Sequence, residues 1–156
     1  MLDDLRELYQ EVILDHGKNP RNFGRPDGAN RQAEGYNPLC GDRLTVYVTL
    51  ADDDRIADAA FEGKGCAISV ASASLLTEVL KGNTVAEADA LFESFHRLCT
   101  DDAFDPADAA ALDEEAFERL QVLSGVKQFP VRVKCATLAW HTLHAALHGE
   151  GQTTTE

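Results

Sequence analysis

Four cysteines offer the most versatile chemistry in this 156-residue chain, and they stand at positions 40, 66, 99 and 135. No two of them form a C-x-x-C pair, which is the spacing typical of zinc ribbons and thioredoxin-like sites. A metal site made from these cysteines must therefore be assembled from segments that lie far apart in the sequence.

Three of the cysteines have similar local surroundings, and two of them lie where a thiolate is favoured. Cys40 lies in a loop before a predicted strand, whereas Cys66 and Cys135 lie at the start of predicted helices. A helix N-terminus carries about +0.5 of a charge, which stabilises a thiolate. Cationic side chains beside the two helix-start cysteines act in the same direction: Lys64, Arg132 and Lys134.

Asp42 follows Cys40 by two residues and adds a carboxylate to the three thiols. Three thiolates and one carboxylate suit tetrahedral Zn²⁺ or one edge of an iron–sulfur cluster. The alternative is that Cys40, Cys66 and Cys135 are ordinary buried cysteines, and spacing alone does not decide between the two. Cys99, which has no glycine or lysine beside it, is predicted to be structural.

The histidines show no metal-binding motif in the sequence. His141, His144 and His148 recur at helical spacing near the end of the chain. Because no carboxylate motif accompanies them, we interpret them as a surface or half-buried helix face. His16 and His96 stand alone in predicted helices and support no prediction of chemistry.

Composition limits the class of protein. Fourteen Lys and Arg residues against 27 Asp and Glu residues leave a net charge of −13, which argues against nucleic acid as a partner. The hydrophobic content of 44% predicts a folded domain, and no run reaches the roughly 18 apolar residues of a membrane span. The acidic start is unlike a signal peptide, so we expect a cytoplasmic location where thiols stay reduced.

Hydrophobic patterning predicts an α+β domain, with helices packed on one face of a small antiparallel sheet of about three strands. Helical periodicity predicts helices over residues 2–16, 66–81, 114–123 and 131–148. A further helix begins at a capping box, Thr84 to Glu87. Alternation and turn residues predict strands over residues 29–35, 43–50 and 55–62, the last two forming a hairpin.

The domain is predicted to cover residues 1–148, followed by a disordered tail over residues 149–156. An acidic insertion is predicted at about residues 100–116, within a stretch that has eight acidic residues and no basic residue between Arg97 and Arg119. A solvated insertion is favoured there over an acidic docking surface.

Four motifs, in this order along the chain, resemble the SufU branch of the NifU/IscU iron–sulfur cluster assembly family: Asp15–Asn22, Asn37–Asp42, Gly63–Ser69 and Val133–Leu138. The resemblance covers nearly the whole chain. It implies a SufE/NifU (IscU)-like α+β fold with three cysteines at one end. Carried over to this chain, the metal ligands of the family are Cys40, Asp42, Cys66 and Cys135.

Three departures separate this chain from IscU-type scaffolds. Lys134 stands where those scaffolds have histidine, and residues 128–132 read Gln-Phe-Pro-Val-Arg in place of the chaperone-binding Leu-Pro-Pro-Val-Lys. The insertion between the second and third cysteines is the third departure. All three resemble SufU, which implies a zinc-bound sulfur acceptor and weakens the case for chaperone-assisted cluster release.

The resemblance therefore implies a zinc-dependent sulfurtransferase that takes persulfide sulfur from a SufS-type cysteine desulfurase. Cys40 is the predicted persulfide acceptor, and Arg132 and Lys134 are predicted to contact the persulfide or the partner. SufBCD-type cluster assembly proteins or apo-acceptors are the implied recipients. Two alternatives stay open: a scaffold that assembles a [2Fe–2S] or [4Fe–4S] cluster on Cys40, Cys66 and Cys135, and a zinc-stabilised binding module without chemistry.

Overall fold

The computed structural model describes residues 2–38, 40–101, 119–149 and 151–154. The helices are α1 (Leu2–Lys18), α2 (Ala67–Leu80), α3 (Val85–Thr100), a 3₁₀ helix (Gln121–Gln128) and α4 (Pro130–Leu147). The strands are β1 (Arg31–Asn37), β2 (Asp42–Leu50), β3 (Ile56–Lys64) and β4 (Gln152–Thr154).

The sheet has the strand order β3-β2-β1-β4. β1 and β2 are antiparallel, and the last residue of β1, Asn37, pairs with the first residue of β2, Asp42. The tight connection between them contains Gly41 at a φ of +72°, in the region that glycine adopts without a steric penalty. β2 and β3 are also antiparallel and form the predicted hairpin. The end of the sheet near Asn37 and Asp42 is therefore where the first cysteine loop lies.

The core lies between the sheet and the helices α2, α3 and α4. Alternate residues of β2, namely Leu44, Val46 and Val48, are fully buried in one apolar cluster with side chains from the three helices. Trp140 of α4 is fully buried and stacks on Phe95 of α3, with ring centroids 4.9 Å apart. This arrangement of helices on the sheet confirms the predicted α+β fold class.

α3 begins as predicted from its capping box. The Thr84 hydroxyl accepts a hydrogen bond from the Glu87 N–H at 3.1 Å, and the Glu87 carboxylate accepts one from the Thr84 N–H at 3.3 Å. The buried face of this helix includes Cys99, which has no solvent exposure and belongs to the apolar core. That position fits the structural role predicted for Cys99.

The three predicted antiparallel strands are confirmed. Two details of the sheet are corrected. Gln152–Thr154, within the tail predicted to be disordered, forms a fourth strand that runs parallel to β1. This strand pairs with backbone groups of β1 that would otherwise form the edge of the sheet, and just before it the Gly151 carbonyl accepts a hydrogen bond from the Glu34 N–H at 2.9 Å. Gly63 and Lys64 continue β3 instead of ending it, because Gly63 tolerates a φ of +143°.

Two further predictions, the acidic insertion and the helix after it, concern residues 100–123. The acidic insertion at about residues 100–116 lies, beyond Asp101, outside the described residues, as does the first half of the helix predicted over 114–123. Where that helix was predicted to end, the chain forms the 3₁₀ helix instead. Within the described ranges, no helix combines the length and apolar character needed to cross a membrane.

Candidate metal centre

Three of the predicted ligands converge at one end of the sheet. Cys40 lies in the turn between β1 and β2, Asp42 is the first residue of β2, and Cys135 lies near the start of α4. Their ligand atoms all lie within 4.8 Å of one another, and the Cys40 and Cys135 Sγ atoms are 3.5 Å apart. Asp42 and Cys135 are buried, whereas Cys40 is exposed. The fold thus brings two segments that are far apart in sequence to one point.

Cys66 lies beside this group, at the N-cap of α2. Its backbone N–H donates to Asp42 Oδ1 at 2.9 Å, and its Sγ lies 3.6 Å from the Ser69 hydroxyl. Its sulfur falls outside the 4.8 Å set, yet it is near enough to Cys135 to interact with that thiol. All four predicted ligands therefore share one end of the molecule, with three in mutual reach and Cys66 adjoining them.

The Asp42 carboxylate is oriented by three hydrogen bonds. One of its oxygens accepts from the Cys66 N–H, and the other accepts from the Ser69 hydroxyl at 2.7 Å and from the Asn37 side-chain amide at 3.2 Å. Hydrogen bonds of this kind orient a ligating carboxylate and tune its affinity for metal. Sequence reasoning missed Asn37 and Ser69, although both lie inside the motifs that carry the family resemblance.

Asn37 is fully buried and serves the site as a donor. Its amide nitrogen also donates to Cys135 Sγ at 3.5 Å, so one NH₂ group contacts both a carboxylate and a thiol. Its carbonyl oxygen, in contrast, has no hydrogen-bond partner in the described part of the chain. Leaving a buried acceptor unpaired costs about 1–3 kcal/mol, so the orientation of this amide is explained by the carboxylate oxygen and the sulfur that its NH₂ group faces.

The residue before Cys66 is a glycine because there is no space for a side chain at this position. A Cβ at this position would lie 2.8 Å from Asp42 Oδ1 and 3.1 Å from the Ser69 Cβ. Any side chain here would therefore displace the carboxylate or the helix start that orients it. The Gly-Lys-Gly sequence before Cys66 allows the end of β3 to pass close to Asp42.

The electrostatic setting of Cys135 differs from the one predicted. Burial raises the pKa of the Cys135 thiol well above its ordinary range, and the neighbouring Cys66, Cys40 and Asp42 raise it further. The helix start and its cations do not outweigh this burial. One of these cations, the Arg132 guanidinium, lies over the exposed Phe129 ring, with its Cζ 4.4 Å from the ring centroid. A bound metal ion reverses the balance, since a coordinating thiol is deprotonated outright.

The donor set fits zinc. Three thiols and a carboxylate oxygen match the soft sulfur and hard oxygen ligands found in tetrahedral Zn²⁺ sites. The same thiols are also the ligand type of iron–sulfur clusters, so the donor chemistry alone does not separate the two. The ligand roles of Cys40, Asp42, Cys66 and Cys135 stay a prediction.

Residues 8–136 match the NifU-like N-terminal domain model, and the chain belongs to this family. The zinc-dependent sulfurtransferase SufU of Bacillus subtilis (strain 168) is 39% identical to it over 147 residues, covering 94% of each chain. The iron–sulfur cluster assembly scaffold protein IscU of Streptococcus pyogenes serotype M1 is 38% identical, covering 94% of this chain and 86% of its own.

A solved structure supports the fold independently. The crystal structure of the N-terminal part of a nitrogen-fixing NifU-like protein from Brucella abortus matches with a TM-score of 0.78, covering 91% of this chain and 93% of that one. Its sequence identity is 22%, so this likeness bears on the fold alone. The family predicted from the four motifs is confirmed by the domain match and by the two relatives.

Proposed function

We propose that this protein is a zinc-dependent sulfur acceptor in iron–sulfur cluster biogenesis, working with a SufS-type cysteine desulfurase in the cytoplasm. The observation that carries the proposal is the convergence of Cys40, Asp42 and Cys135, with Cys66 beside them. The relative named a zinc-dependent sulfurtransferase, which covers almost the whole chain, supports the same activity. SufBCD-type assembly proteins or apo-acceptors would receive the sulfur.

The chain's own residues would hold the zinc: Cys40, Asp42, Cys66 and Cys135. When bound, zinc supplies a positive charge that keeps thiols ionised in a buried site. Asn37 and Ser69 hold the Asp42 carboxylate in place, so Asp42 acts as a ligand and not as a general base. A closed set of four protein ligands leaves no position for activating water, which favours sulfur chemistry over hydrolysis.

Cys40 is the residue best placed to accept sulfur. Cys40 and Cys66 are both exposed, whereas Cys135 is buried. Cys40 lies on a turn next to Gly41, whereas Cys66 is held through its N–H at the start of α2, so Cys40 is the exposed cysteine with the more adaptable backbone. The Cys40 thiolate attacks the outer sulfur of the desulfurase persulfide, and the persulfide S–S bond breaks. The electron pair leaves with the desulfurase thiolate, and Cys40 carries the transferred sulfur as a new persulfide.

The partner would dock beside the cysteines. Phe129 is exposed, Arg132 stacks on it, and both line a groove of about 310 Å³ that also includes Tyr9 and Ile13 of α1. Aromatic and arginine side chains are enriched at protein interfaces. We assign Arg132, with Lys134 two residues further along α4, to contact with the desulfurase or its persulfide.

The acceptor role is tested with Cys40→Ser beside Cys99→Ala, a cysteine variant outside the site. The zinc content of each protein is measured, each is incubated with desulfurase and cysteine, and the mass increase of one sulfur atom is followed with time. We expect the Cys99 variant to gain sulfur at the wild-type rate and the Cys40 variant to gain none. Sulfur accumulation on Cys40→Ser at the wild-type rate would overturn the assignment.

Cluster assembly is a second candidate, favoured by the three thiols and by the IscU scaffold relative. Purification without oxygen separates it from sulfur transfer. Stoichiometric, tightly held zinc supports the sulfur acceptor. Iron and sulfide with visible charge-transfer absorption that passes to an apo-acceptor would support the scaffold. A binding module without chemistry would instead leave desulfurase turnover unchanged in Cys40→Ser.

A further inference from the structure

A second cluster of metal-ligating side chains lies toward the C-terminal end of α4. Asp89 of α3 and His144 and His148 at that end of α4 have ligand atoms that all lie within 4.8 Å of one another. His148 Nε2 is 3.1 and 3.3 Å from the two Asp89 carboxylate oxygens. The imidazole rings of His144 and His148 have centroids 4.3 Å apart. The sequence showed no carboxylate with these histidines, because the carboxylate comes from a different helix.

The spacing of the two histidines is favourable for chelation. His148 is the residue that follows α4, and its N–H still donates to the His144 carbonyl at 3.1 Å, so the pair keeps helical spacing. Residues four apart at this spacing lie on the same face, and two such histidines are a known zinc-binding arrangement. Asp89 approaches the pair from α3, so a metal ion here would connect the two helices. Along α4 this cluster is roughly 14–20 Å from Cys135 at 1.5 Å per residue, too far for the two groups to share one ion.

Other imidazoles surround the cluster. Four of the five histidines of the chain line one open groove of about 650 Å³, and His96 and His141 are the other two. The rings of His96 and His141 have centroids 6.0 Å apart, and Phe92 packs edge-on against His141 at 5.1 Å. His144 and His148 are exposed and His141 is half-buried, as predicted for this helix face. Metal ions can therefore reach the cluster directly from solvent.

We propose that Asp89, His144 and His148 bind one divalent first-row transition metal ion of the zinc type. Imidazole nitrogen and carboxylate oxygen are ligands that Zn²⁺ accepts, whereas Mg²⁺ and Ca²⁺ favour all-oxygen sites. Three protein ligands leave a coordination position open toward the groove, which makes this an exchangeable site. The proposal is independent of the sulfur-transfer function and of the cysteine centre.

The test is a metal titration of untagged protein that already holds one equivalent of zinc at the cysteine end. Zn²⁺ alone is added, and binding is followed by calorimetry and by metal analysis after equilibrium dialysis. We expect wild type to bind a second equivalent. Asp89→Asn, His144→Gln and His148→Gln should each weaken the second equivalent at least about tenfold.

Glu93→Gln is the matched control, because Glu93 is an exposed carboxylate of α3 that lines the same groove. It should leave the second equivalent unchanged, and wild-type rates of sulfur acceptance in His148→Gln would separate this site from the cysteine centre. Ring NMR signals of His144 and His148 in the wild type should move on addition of the second equivalent.

Three results would overturn the proposal. They are no second equivalent in wild type, equal binding by the His144→Gln and His148→Gln variants, or a loss in Glu93→Gln as large as in Asp89→Asn.

Discussion

The two groups of metal-ligating side chains at the two ends of α4 differ in burial and in the number of segments that supply them. Near its start, Cys135 joins donors from the β1–β2 turn, from β2 and from the start of α2, and buried hydrogen bonds orient the carboxylate. Toward its other end, His144 and His148 meet Asp89 from a single neighbouring helix, on an exposed surface. The fold brings the segments of the first group together, whereas the second group lies on the surface of two helices.

This difference has consequences for metal exchange and for stability. A site whose ligands come from several segments that only the folded chain brings together couples metal binding to folding. A site whose ligands already share exposed helix faces binds metal without reorganising the core. The cysteine end is therefore suited to a resident metal and the histidine end to an exchanging one.

The largest effect is expected from Asp42→Ala. The change removes the acceptor for the Cys66 N–H, the Ser69 hydroxyl and the Asn37 amide, and unpaired buried donors cost about 1–3 kcal/mol each. We expect the free energy of unfolding in denaturant to fall by on the order of 3 kcal/mol, with loss of zinc. The matched change at the other end, Asp89→Asn, should cost about 1 kcal/mol or less. Equal losses at the two ends would remove the distinction between them.

A smaller effect is expected from Gly65→Ala. The added Cβ would lie 2.8 Å from Asp42 Oδ1, and overpacking of this kind costs about 1–3 kcal/mol. Because the displaced group is a predicted ligand, zinc affinity measured by competition with a chelator should fall as well. Gly125→Ala is the control, since a Cβ there meets no atom within 4 Å. Unchanged zinc affinity in Gly65→Ala would show that the carboxylate is not a ligand.

Ser69→Ala should have a more limited effect. It removes one hydrogen bond to Asp42, of 2.7 Å, and leaves the two others. Loss of a partner that orients a ligand lowers metal affinity about 10–100-fold, and a buried hydrogen bond contributes about 1 kcal/mol to stability. Chelator competition measures the first quantity and denaturant unfolding the second. Ser94→Ala on α3, which is half-buried near the histidine end, should change neither quantity at the cysteine end.

The smallest expected effect is a change in how the free energy of unfolding depends on pH, and it comes from the buried His16 of α1. Burial lowers the pKa of His16 below its ordinary value of 6.5, and Arg21 and Arg119 lower it further, whereas Glu78 and Asp15 oppose them. The unfolded state therefore takes up the proton first as the pH falls. The contribution of neutral His16 to stability is complete above about pH 6.5 and is lost as the pH falls through the lowered folded-state pKa.

His16→Gln should accordingly show a flatter dependence of unfolding free energy on pH below 6.5 than wild type. His96→Gln, which changes an exposed histidine of α3, should retain the wild-type slope. If both variants kept the wild-type slope, the buried histidine would not be the source of the pH dependence.

Local patterns in the sequence predict most of the helices and strands. The capping box at Thr84 predicts the start of α3, and alternation along residues 43–50 predicts β2, because each depends on neighbours only a few residues away. The motifs around Cys40, Cys66 and Cys135 likewise predict the family and the cysteines that converge.

Tertiary structure decided what these local patterns leave open. Asn37 meets Cys135 across 98 positions, Asp89 meets His148 across 59, and β4 extends the sheet through pairing with β1. The pKa of Cys135 likewise depends on burial, which no flanking residue reveals. The physical reason is common to these cases: hydrogen bonds, burial and shared ligands are properties of distance in space. Helix starts and strand alternation are properties of the covalent neighbourhood.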